Sequence, residues 1–250
     1  MNNARHSKFG PGRLVLIGLL VVVGLGAVRA SVRKADVGPE ASTLTPVFGP
    51  VVDLFNARDL SGWSGFYQDG TGDASTAWSV VDGRLVCSGR PIGYLQTDLL
   101  YLDFELELEW RFDPERGAGN SGVLLRKAEE DRVWPRSMEA QLHSTNAGDI
   151  WNIGDFPMDT DSGRTSGRRT VKAHPSNERR LGQWNRYRIR LDRGELTLEV
   201  NGLVQNRASD CQQAPGRIAL QSEGAYIEFR NIRLRPIVAW RKADGADGDG

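Results

Sequence analysis

The chain has 250 residues, and its 32 basic and 32 acidic side chains leave no formal net charge at pH 7. Without a basic excess it offers no electrostatic footprint for nucleic acid, so we expect no nucleic-acid partner. Its length suits one sizeable domain or two small ones, and its 29 glycines favour tight turns and short strands over long helices.

Residues 1–30 are predicted to be a targeting segment. Three basic residues precede an apolar run over 14–28, and residues 28–30 form a small-x-small cleavage site. The run is short for a bilayer span of about 20 residues. We therefore expect a signal peptide, with an uncleaved anchor as the alternative. Export follows, to the periplasm, to the medium or to the outer side of a membrane, with membrane contact only through that anchor.

The globular domain is predicted over residues 51–237, between a linker at 31–50 and a disordered tail at 238–250. Asp82-Gly83 and Asn201-Gly202 each separate two alternating apolar runs. Such pairs are typical of type I′ hairpins, whose two central residues need positive φ. The mature chain has no helical pattern and no internal repeat. The sequence therefore predicts an all-β sandwich formed by a single domain.

The clearest strand is predicted over residues 104–112. Five large apolar side chains alternate there with Glu105, Glu107, Glu109 and an arginine. The apolar face is expected to lie in the core. The three glutamates are interpreted as a solvated outer face, because placing like charges in a cleft would raise their pKa values strongly.

Cys87 and Cys211 are the two cysteines of the chain. An exported protein can pair them, but a chain of this length does not need a disulfide in order to fold. We expect two free, buried thiols. No Cys-x-x-Cys or His-rich spacing points to structural zinc.

A long polar segment extends over residues 145–180, rich in Gly, Asp, Asn, Ser and Arg. A connection of that length inside a compact domain is usually functional or disordered. Its aromatic residues, Trp151 among them, argue against plain disorder.

The stretch 137–144 carries the strongest functional signal. Its period of two places Glu139, Gln141 and His143 on one face, with neighbouring side chains roughly 6.5–7 Å apart, and apolar residues on the other. A carboxylate, an amide and an imidazole together can move protons, donate hydrogen bonds or hold a metal ion. This face is either the floor of a site or a hydrated outer surface.

The chain resembles the 3-keto-disaccharide hydrolase domain family along about residues 51–237. The motifs that carry the resemblance follow one another in order: Leu54-Phe55-Asn56, Asp59-Leu60-Ser61-Gly62-Trp63, Trp78-Ser79-Val80, Asp82-Gly83, Asp103-Phe104-Glu105-Leu106, Gly119-Asn120-Ser121-Gly122-Val123, Arg126, Glu139-Ala140-Gln141-Leu142, Asn146-Ala147-Gly148-Asp149, Gly182-Gln183-Trp184-Asn185, Asn201-Gly202 and Phe229-Arg230-Asn231-Ile232. The resemblance implies an exported bacterial domain with a concanavalin A-like jelly-roll fold. It also implies an enzyme that cleaves glycosides oxidised to a ketone at C3, by hydrolysis or by elimination and hydration.

That chemistry assigns roles to the polar residues. A C3 ketone acidifies the C2 hydrogen, so the reaction needs a base, a group that stabilises the enolate and an acid for the leaving oxygen. Glu139 or His143 is expected to be the base, and Arg126 or a divalent metal ion the enolate stabiliser. The metal ligands stay open; His143 and Glu139 would need a loop residue to share an ion. Candidate residues for holding sugar hydroxyls or stacking on a ring are Tyr94, Asn120, Ser121, Gln141, Asp149, Trp151 and Gln221.

Several alternatives stay open. An ordinary glycosidase needs two carboxylates facing one another, and Asp149 is the nearest partner for Glu139. Arg126 can instead pair with Glu139 in a buried salt bridge. The same fold also serves non-catalytic carbohydrate-binding modules, and the segment 145–180 is a candidate surface for a protein partner.

Overall fold

The computed structural model describes residues 44–242. The strands are, in chain order, β1 Leu44–Phe48, β2 Val52–Asp53, β3 Trp63–Tyr67, β4 Trp78–Val81, β5 Arg84–Cys87, β6 Gly93–Thr97, β7 Phe104–Phe112, β8 Gly122–Lys127, β9 Ser137–Gln141, β10 Ile150–Ile153, β11 Asp159–Thr160, β12 Thr165–Ser166, β13 Arg169–Thr170, β14 Asn185–Asp192, β15 Glu195–Val200, β16 Leu203–Ser209, β17 Arg217–Ser222 and β18 Ile227–Lys242. The helices described in this range are two single 3₁₀ turns, Ala74–Thr76 and Ser162–Arg164.

These strands form two antiparallel sheets that pack face to face. The first sheet runs β11-β16-β15-β14-β7-β18-β5-β4, with β1 and β2 paired to β18. The second sheet runs β12-β13-β10-β9-β8-β17-β6-β3. The predicted all-β, concanavalin A-like jelly-roll sandwich is confirmed.

The core lies between the sheets, where the inward-facing residues of both interdigitate. Strand β7 contributes Phe104, Leu106, Leu108, Trp110 and Phe112, as its alternation predicts. The second sheet contributes the apolar face of β9, including Met138 and Ala140. Each Leu, Phe or Met side chain among them contributes roughly 1.5–3 kcal/mol when it is fully buried.

The glutamates of β7 lie on its outer face, where each has an arginine partner. Glu107 pairs with Arg186 at 2.6 Å and Glu109 with Arg230 at 2.5 Å. Glu105 pairs with Arg235 and is buried rather than solvated, unlike its prediction. The long arginine side chain covers the carboxylate and neutralises it there.

Both predicted hairpin turns have the expected backbone. Asp82 and Gly83 have φ of 47° and 73° between β4 and β5, and Asn201 and Gly202 have φ of 47° and 85° between β15 and β16. Type I′ turns match the twist of the strands they join, which explains the tight connections.

The ordered chain extends beyond the predicted limits at both ends. Residues 44–48, predicted as linker, form β1 and pair with residues 237–242, most of which were predicted as tail. The mixed sequence of β1 has no period because this strand lies at the sheet edge, where neither face must be apolar. The predicted signal segment 1–30 lies outside the described residues. Within residues 44–242, no helix is long and apolar enough to cross a membrane.

The polar segment 145–180 is largely integrated into the sandwich. It contributes β10, β12 and β13 to the second sheet and β11 to the first. The buried carboxylate of Asp149 anchors it through Arg169 at 2.6 Å and through the backbone N–H of Lys172 at 2.8 Å. The cysteines Cys87 and Cys211 are both free and buried.

Candidate active site

A cleft of about 250 Å³ opens on the outer face of the second sheet. Its floor comes from side chains that alternation turns away from the core on three strands. These are Glu139 and Gln141 of β9, Trp151 and Ile153 of β10, and Gln221 of β17. Its walls come from loops, through Asn120, Trp134, Arg168 and Glu223.

Strand register brings the floor residues together. Glu139 is directly opposite Trp151, and Gln141 is directly opposite Gly122 of β8. A Cβ at Gly122 would lie 2.5 Å from Glu139 Oε1 and closer still to Gln221 Oε1. The missing side chain thus leaves the space in which the carboxylate of β9 and the amide of β17 approach one another across β8.

Glu139 is a carboxyl of the cleft with a strongly shifted pKa. Only 6% of the Glu139 surface is exposed to solvent. Burial, reinforced by the negative charge of Glu223, raises the pKa of its carboxyl to about 8. A hydrogen bond from the Gln221 amide and the positive charge of Arg168 partly oppose that rise. The carboxyl is therefore poised to gain or lose a proton near neutral pH.

Glu223 is the second carboxyl of the cleft, and burial raises its pKa as well. Sequence reasoning missed it and favoured Asp149 as the partner of Glu139. Glu223 follows β17 directly, two residues after Gln221, so continuing the period of two past Gln221 would have indicated it. Asp149 is fully buried in its ion pairs and does not line the cleft.

Arg168, Trp134 and Ile153 were also missed. The Arg168 guanidinium lies 5.8 Å from the ring centroid of Trp151, within the range of a cation–π contact. Its position between two short strands of a polar segment carries no signal in the sequence. Arg168 and Trp134 reach the cleft only because their loops fold back over the sheet.

Polar atoms without partners mark the cleft as a binding surface. Among the described residues, the buried atoms Asn120 Oδ1, Gln221 Oε1 and Trp151 Nε1 have no hydrogen-bond partner. Buried polar groups are normally satisfied, so such a cluster calls for a partner from outside the chain. Two acceptors, one donor and two indole rings are the groups that recognise sugar hydroxyls and ring faces. Of the predicted binding residues, Asn120, Gln141, Trp151 and Gln221 line the cleft.

Arg126 does not reach the cleft. A bulge between β8 and β17 gives it φ of 49°, and its guanidinium is buried beside Asp103, 3.2 Å from Oδ1. It also donates to the backbone carbonyl of Leu102 at 3.3 Å. Both expectations for Arg126, the enolate contact and the bridge to Glu139, are therefore corrected, because the bulge accompanies a guanidinium that pairs with Asp103 and not with Glu139.

His143 is also separated from Glu139. Strand β9 ends at Gln141, whose Oε1 accepts hydrogen bonds from the backbone N–H groups of Leu142 and His143 at 2.8 and 2.7 Å. The chain turns there, and the exposed His143 ring places Nδ1 2.9 Å from the carbonyl oxygen of Ser144. This local side-chain cap ends the strand two residues before His143, so the imidazole does not share the face of Glu139 and Gln141.

Two further predicted residues have structural partners instead of lining the cleft. The Tyr94 hydroxyl donates to Asp131 at 2.9 Å, and its ring stacks on Phe66 at 5.5 Å between centroids. The hydroxyl of Ser121 donates to the backbone carbonyl of Gln221 at 2.8 Å.

The two residues predicted as possible metal ligands are His143 and Glu139. His143 and Glu139 do not meet in the cleft, so they cannot share an ion. Across residues 44–242, no three His, Cys, Asp or Glu side chains are grouped as a metal site would require. The divalent ion expected from the sequence stays a prediction.

Comparisons with known proteins agree with this architecture. The family described as the 3-keto-alpha-glucoside-1,2-lyase-like domain matches residues 50–235. A 3-keto-disaccharide hydrolase of Bacteroides thetaiotaomicron is 23% identical over 234 residues, covering 74% of this chain and 78% of that protein. A Parabacteroides distasonis structure, provisionally named a glycosyl hydrolase, has a TM-score of 0.55 at 20% identity, covering 74% and 92% of the two chains. The carbohydrate-binding module CBM66 of Bacillus subtilis has a TM-score of 0.51 at 13% identity, covering 72% and 98%.

Proposed function

Because this chain belongs to the 3-keto-alpha-glucoside-1,2-lyase-like domain family, we propose that it is an exported enzyme that cleaves the glycosidic bond of 3-keto-glycosides. One observation carries the proposal: Glu139, buried on the floor of an open cleft, has a pKa of about 8. A general acid or base works best when its pKa lies near the operating pH. The relative from Bacteroides thetaiotaomicron supports the substrate class through its name.

Glu139 is the base in this proposal. The ketone at C3 makes the C2 hydrogen acidic, so the carboxylate removes that proton while the substituent at C1 departs. Water then adds to the double bond between C1 and C2. The net result is cleavage of the glycoside, and direct hydrolysis at C1 is the competing route.

Arg168 takes the place of Arg126 as the stabiliser of the enolate. It is the cationic side chain among the described residues that line the cleft. A fixed positive charge near the C3 oxygen lowers the energy of the negative charge that develops there. The unpaired oxygens of Asn120 and Gln221 accept from sugar hydroxyls, and the Trp151 indole N–H donates to one.

The test is turnover of a 3-keto-glucoside in deuterated water, followed by NMR, with and without divalent metal ions. We expect the wild type to release the aglycone and to incorporate deuterium at C2. Glu139→Gln should lose roughly 10²–10⁴-fold in rate, the usual contribution of a general base. Glu195→Gln, at the exposed first residue of β15 in the other sheet, is the matched control and should retain full rate.

The outcomes separate the mechanisms. Turnover without deuterium at C2 would indicate direct hydrolysis. No turnover by the wild type on a panel of 3-keto-glucosides and 3-keto-disaccharides would contradict the enzymatic proposal.

A non-catalytic carbohydrate-binding module is the second candidate. Trp134 and Trp151 line the same cleft, and aromatic rings are common platforms for sugar rings. The structural likeness to a carbohydrate-binding module shows that the fold is compatible with that role. Sugar affinity that survives Glu139→Gln, without turnover by the wild type, would favour this candidate.

A further inference from the structure

A second cavity of about 360 Å³ adjoins the cleft. Its walls are the connection between β7 and β8, through residues 116–120, and the connection between β17 and β18, through residues 223–226. Asn120 and Glu223 line both cavities. The two spaces therefore meet at these two side chains, and a ligand longer than one sugar ring can occupy both.

The lining of the second cavity suits a polyhydroxylated group. Three glycines, Gly117, Gly119 and Gly224, leave part of the wall without side chains, which makes room for a ring, and their N–H groups are paired within the chain. The Arg116 guanidinium lies 4.1 Å from the ring centroid of Tyr226, where it supplies donors above an aromatic platform. Ser88 adds a hydroxyl.

Glu223 is placed at the junction of the two spaces. It is half-buried, and its negative charge helps to raise the pKa of the Glu139 carboxyl. Burial raises the pKa of Glu223 too, so it holds a proton at a higher pH than an ordinary glutamate does. A bond that joins a ring in the cleft to a ring in the second cavity passes beside the Glu223 carboxyl, which lines both spaces.

We propose that the second cavity binds the leaving group, a second sugar ring or a similar polyol, and that Glu223 protonates the departing oxygen. The inference rests on the proposed function of the cleft. It assigns the two carboxyls to different atoms of one substrate: Glu139 to the C2 hydrogen and Glu223 to the glycosidic oxygen.

The proton balance closes over one turnover. Glu139 takes the C2 proton, the C2–H electrons form the double bond between C1 and C2, and the C1–O bond breaks as Glu223 gives its proton to the leaving oxygen. In the hydration step, Glu223 takes a proton from water as its oxygen bonds to C1. The Glu139 carboxyl exchanges its proton with solvent between the two steps and then donates a proton to C2, so that both carboxyls regain their starting states and C2 takes its hydrogen from the solvent.

Two variants test the inference with two leaving groups. A 3-keto-disaccharide needs a proton on its leaving oxygen, whereas 4-nitrophenyl 3-keto-glucoside has a leaving group that departs without one. We expect Glu223→Gln to lose roughly 10²–10⁴-fold on the disaccharide and little on the nitrophenyl substrate. Glu139→Gln should lose activity on both, because the C2 proton must be removed in either case.

Ala118→Phe tests the cavity without altering either carboxyl. Ala118 is an exposed residue that lines the second cavity. A phenyl group there should raise KM for the 3-keto-disaccharide at least tenfold and leave KM for methyl 3-keto-glucoside unchanged. Thermal melting of both variants checks that they are folded.

The results overturn the inference in distinct ways. Equal losses by Glu223→Gln on both leaving groups would remove its role as the acid. An unchanged disaccharide KM in Ala118→Phe would remove the leaving group from the second cavity. A wild type that turns over no 3-keto-glycoside would overturn the proposed function and this inference with it.

Discussion

Glu139 is almost fully buried and lies close to a second carboxyl, Glu223. Both conditions destabilise its charged form. Burial raises its pKa from an ordinary 4.5 to about 8, so between these pH values the folded chain holds a proton that the unfolded chain has released. The stabilisation from this neutral carboxyl is complete below about pH 4.5 and is lost as the pH rises through about 8. The burial that raises the pKa of Glu139 therefore lowers the stability of the folded chain at neutral pH.

Replacing this carboxyl should reveal that cost. Glu139→Gln cannot ionise, so its melting temperature should exceed that of the wild type by an amount that grows from pH 5 to pH 8 and then levels off. Each tenfold change in proton affinity corresponds to about 1.4 kcal/mol, and each kcal/mol to about 2–4 °C for a domain of this size. Thermal melts across this pH range measure the difference. Glu115→Gln, in the exposed turn after β7, is the control and should show no such trend. A constant offset for Glu139→Gln would mean that Glu139 ionises with its ordinary pKa.

At the scale of elements, the loop between β8 and β9 builds one wall of the cleft with Trp134. Asp131 of this loop accepts at one oxygen from Lys127 Nζ at 2.7 Å and from the Tyr94 hydroxyl at 2.9 Å. Lys127 is 1% exposed, and its ammonium also lies 5.1 Å from the centroid of the Tyr94 ring. A buried cation requires a partner, so this contact holds the loop on the outer face of the sheet.

Removing that partner should loosen the wall of the cleft. Asp131→Ala leaves Lys127 buried without its carboxylate, which should cost about 1–3 kcal/mol because Asp131 itself is partly solvated. Trp134 then loses its fixed position, and KM for the 3-keto-glycoside should rise several-fold with a smaller change in kcat. Steady-state kinetics and denaturant unfolding measure both effects. Glu130→Ala, the exposed neighbour in the same loop, should change neither, and equal behaviour of the two variants would exclude the anchoring role.

At the scale of the whole molecule, β1 and the end of β18 extend the first sheet beyond the predicted domain. The ring of Phe48 lies 4.6 Å from the Arg235 guanidinium and 5.6 Å from that of Arg190. Pairing runs from Leu44 opposite Lys242 to Phe48 opposite Ile237. Without β1, the outer part of β18 would present an unpaired edge to solvent.

A chain that begins at Val51 should therefore be less stable than one that begins at Ser42. We expect a melting temperature lower by several degrees and a stronger tendency to associate through the exposed edge of β18. Thermal melts and size-exclusion chromatography compare the two chains. Equal melting temperatures would show that the predicted boundary at 51 already includes the whole stable domain.

The sequence by itself determined the features that depend on local pattern. Period-two alternation placed Phe104 and its neighbours in the core and turned Glu139 and Gln141 outward together. Asp82-Gly83 and Asn201-Gly202 predicted their turns because few residue pairs tolerate positive φ at two successive positions. These signals are reliable because each is read from residues that are adjacent in the chain.

Only the tertiary structure decided which side chains share the cleft. A bulge at Arg126 and a capped strand end before His143 interrupt the alternation, and neither leaves a mark in the residue pattern. Glu223 and Arg168 meet Glu139 from connections that are distant in the chain. Their proximity depends on strand order and loop closure, which the packing of the two sheets sets as a whole. The outward position of Glu139 was therefore predictable, whereas its proximity to Glu223 and Arg168 emerged from the fold.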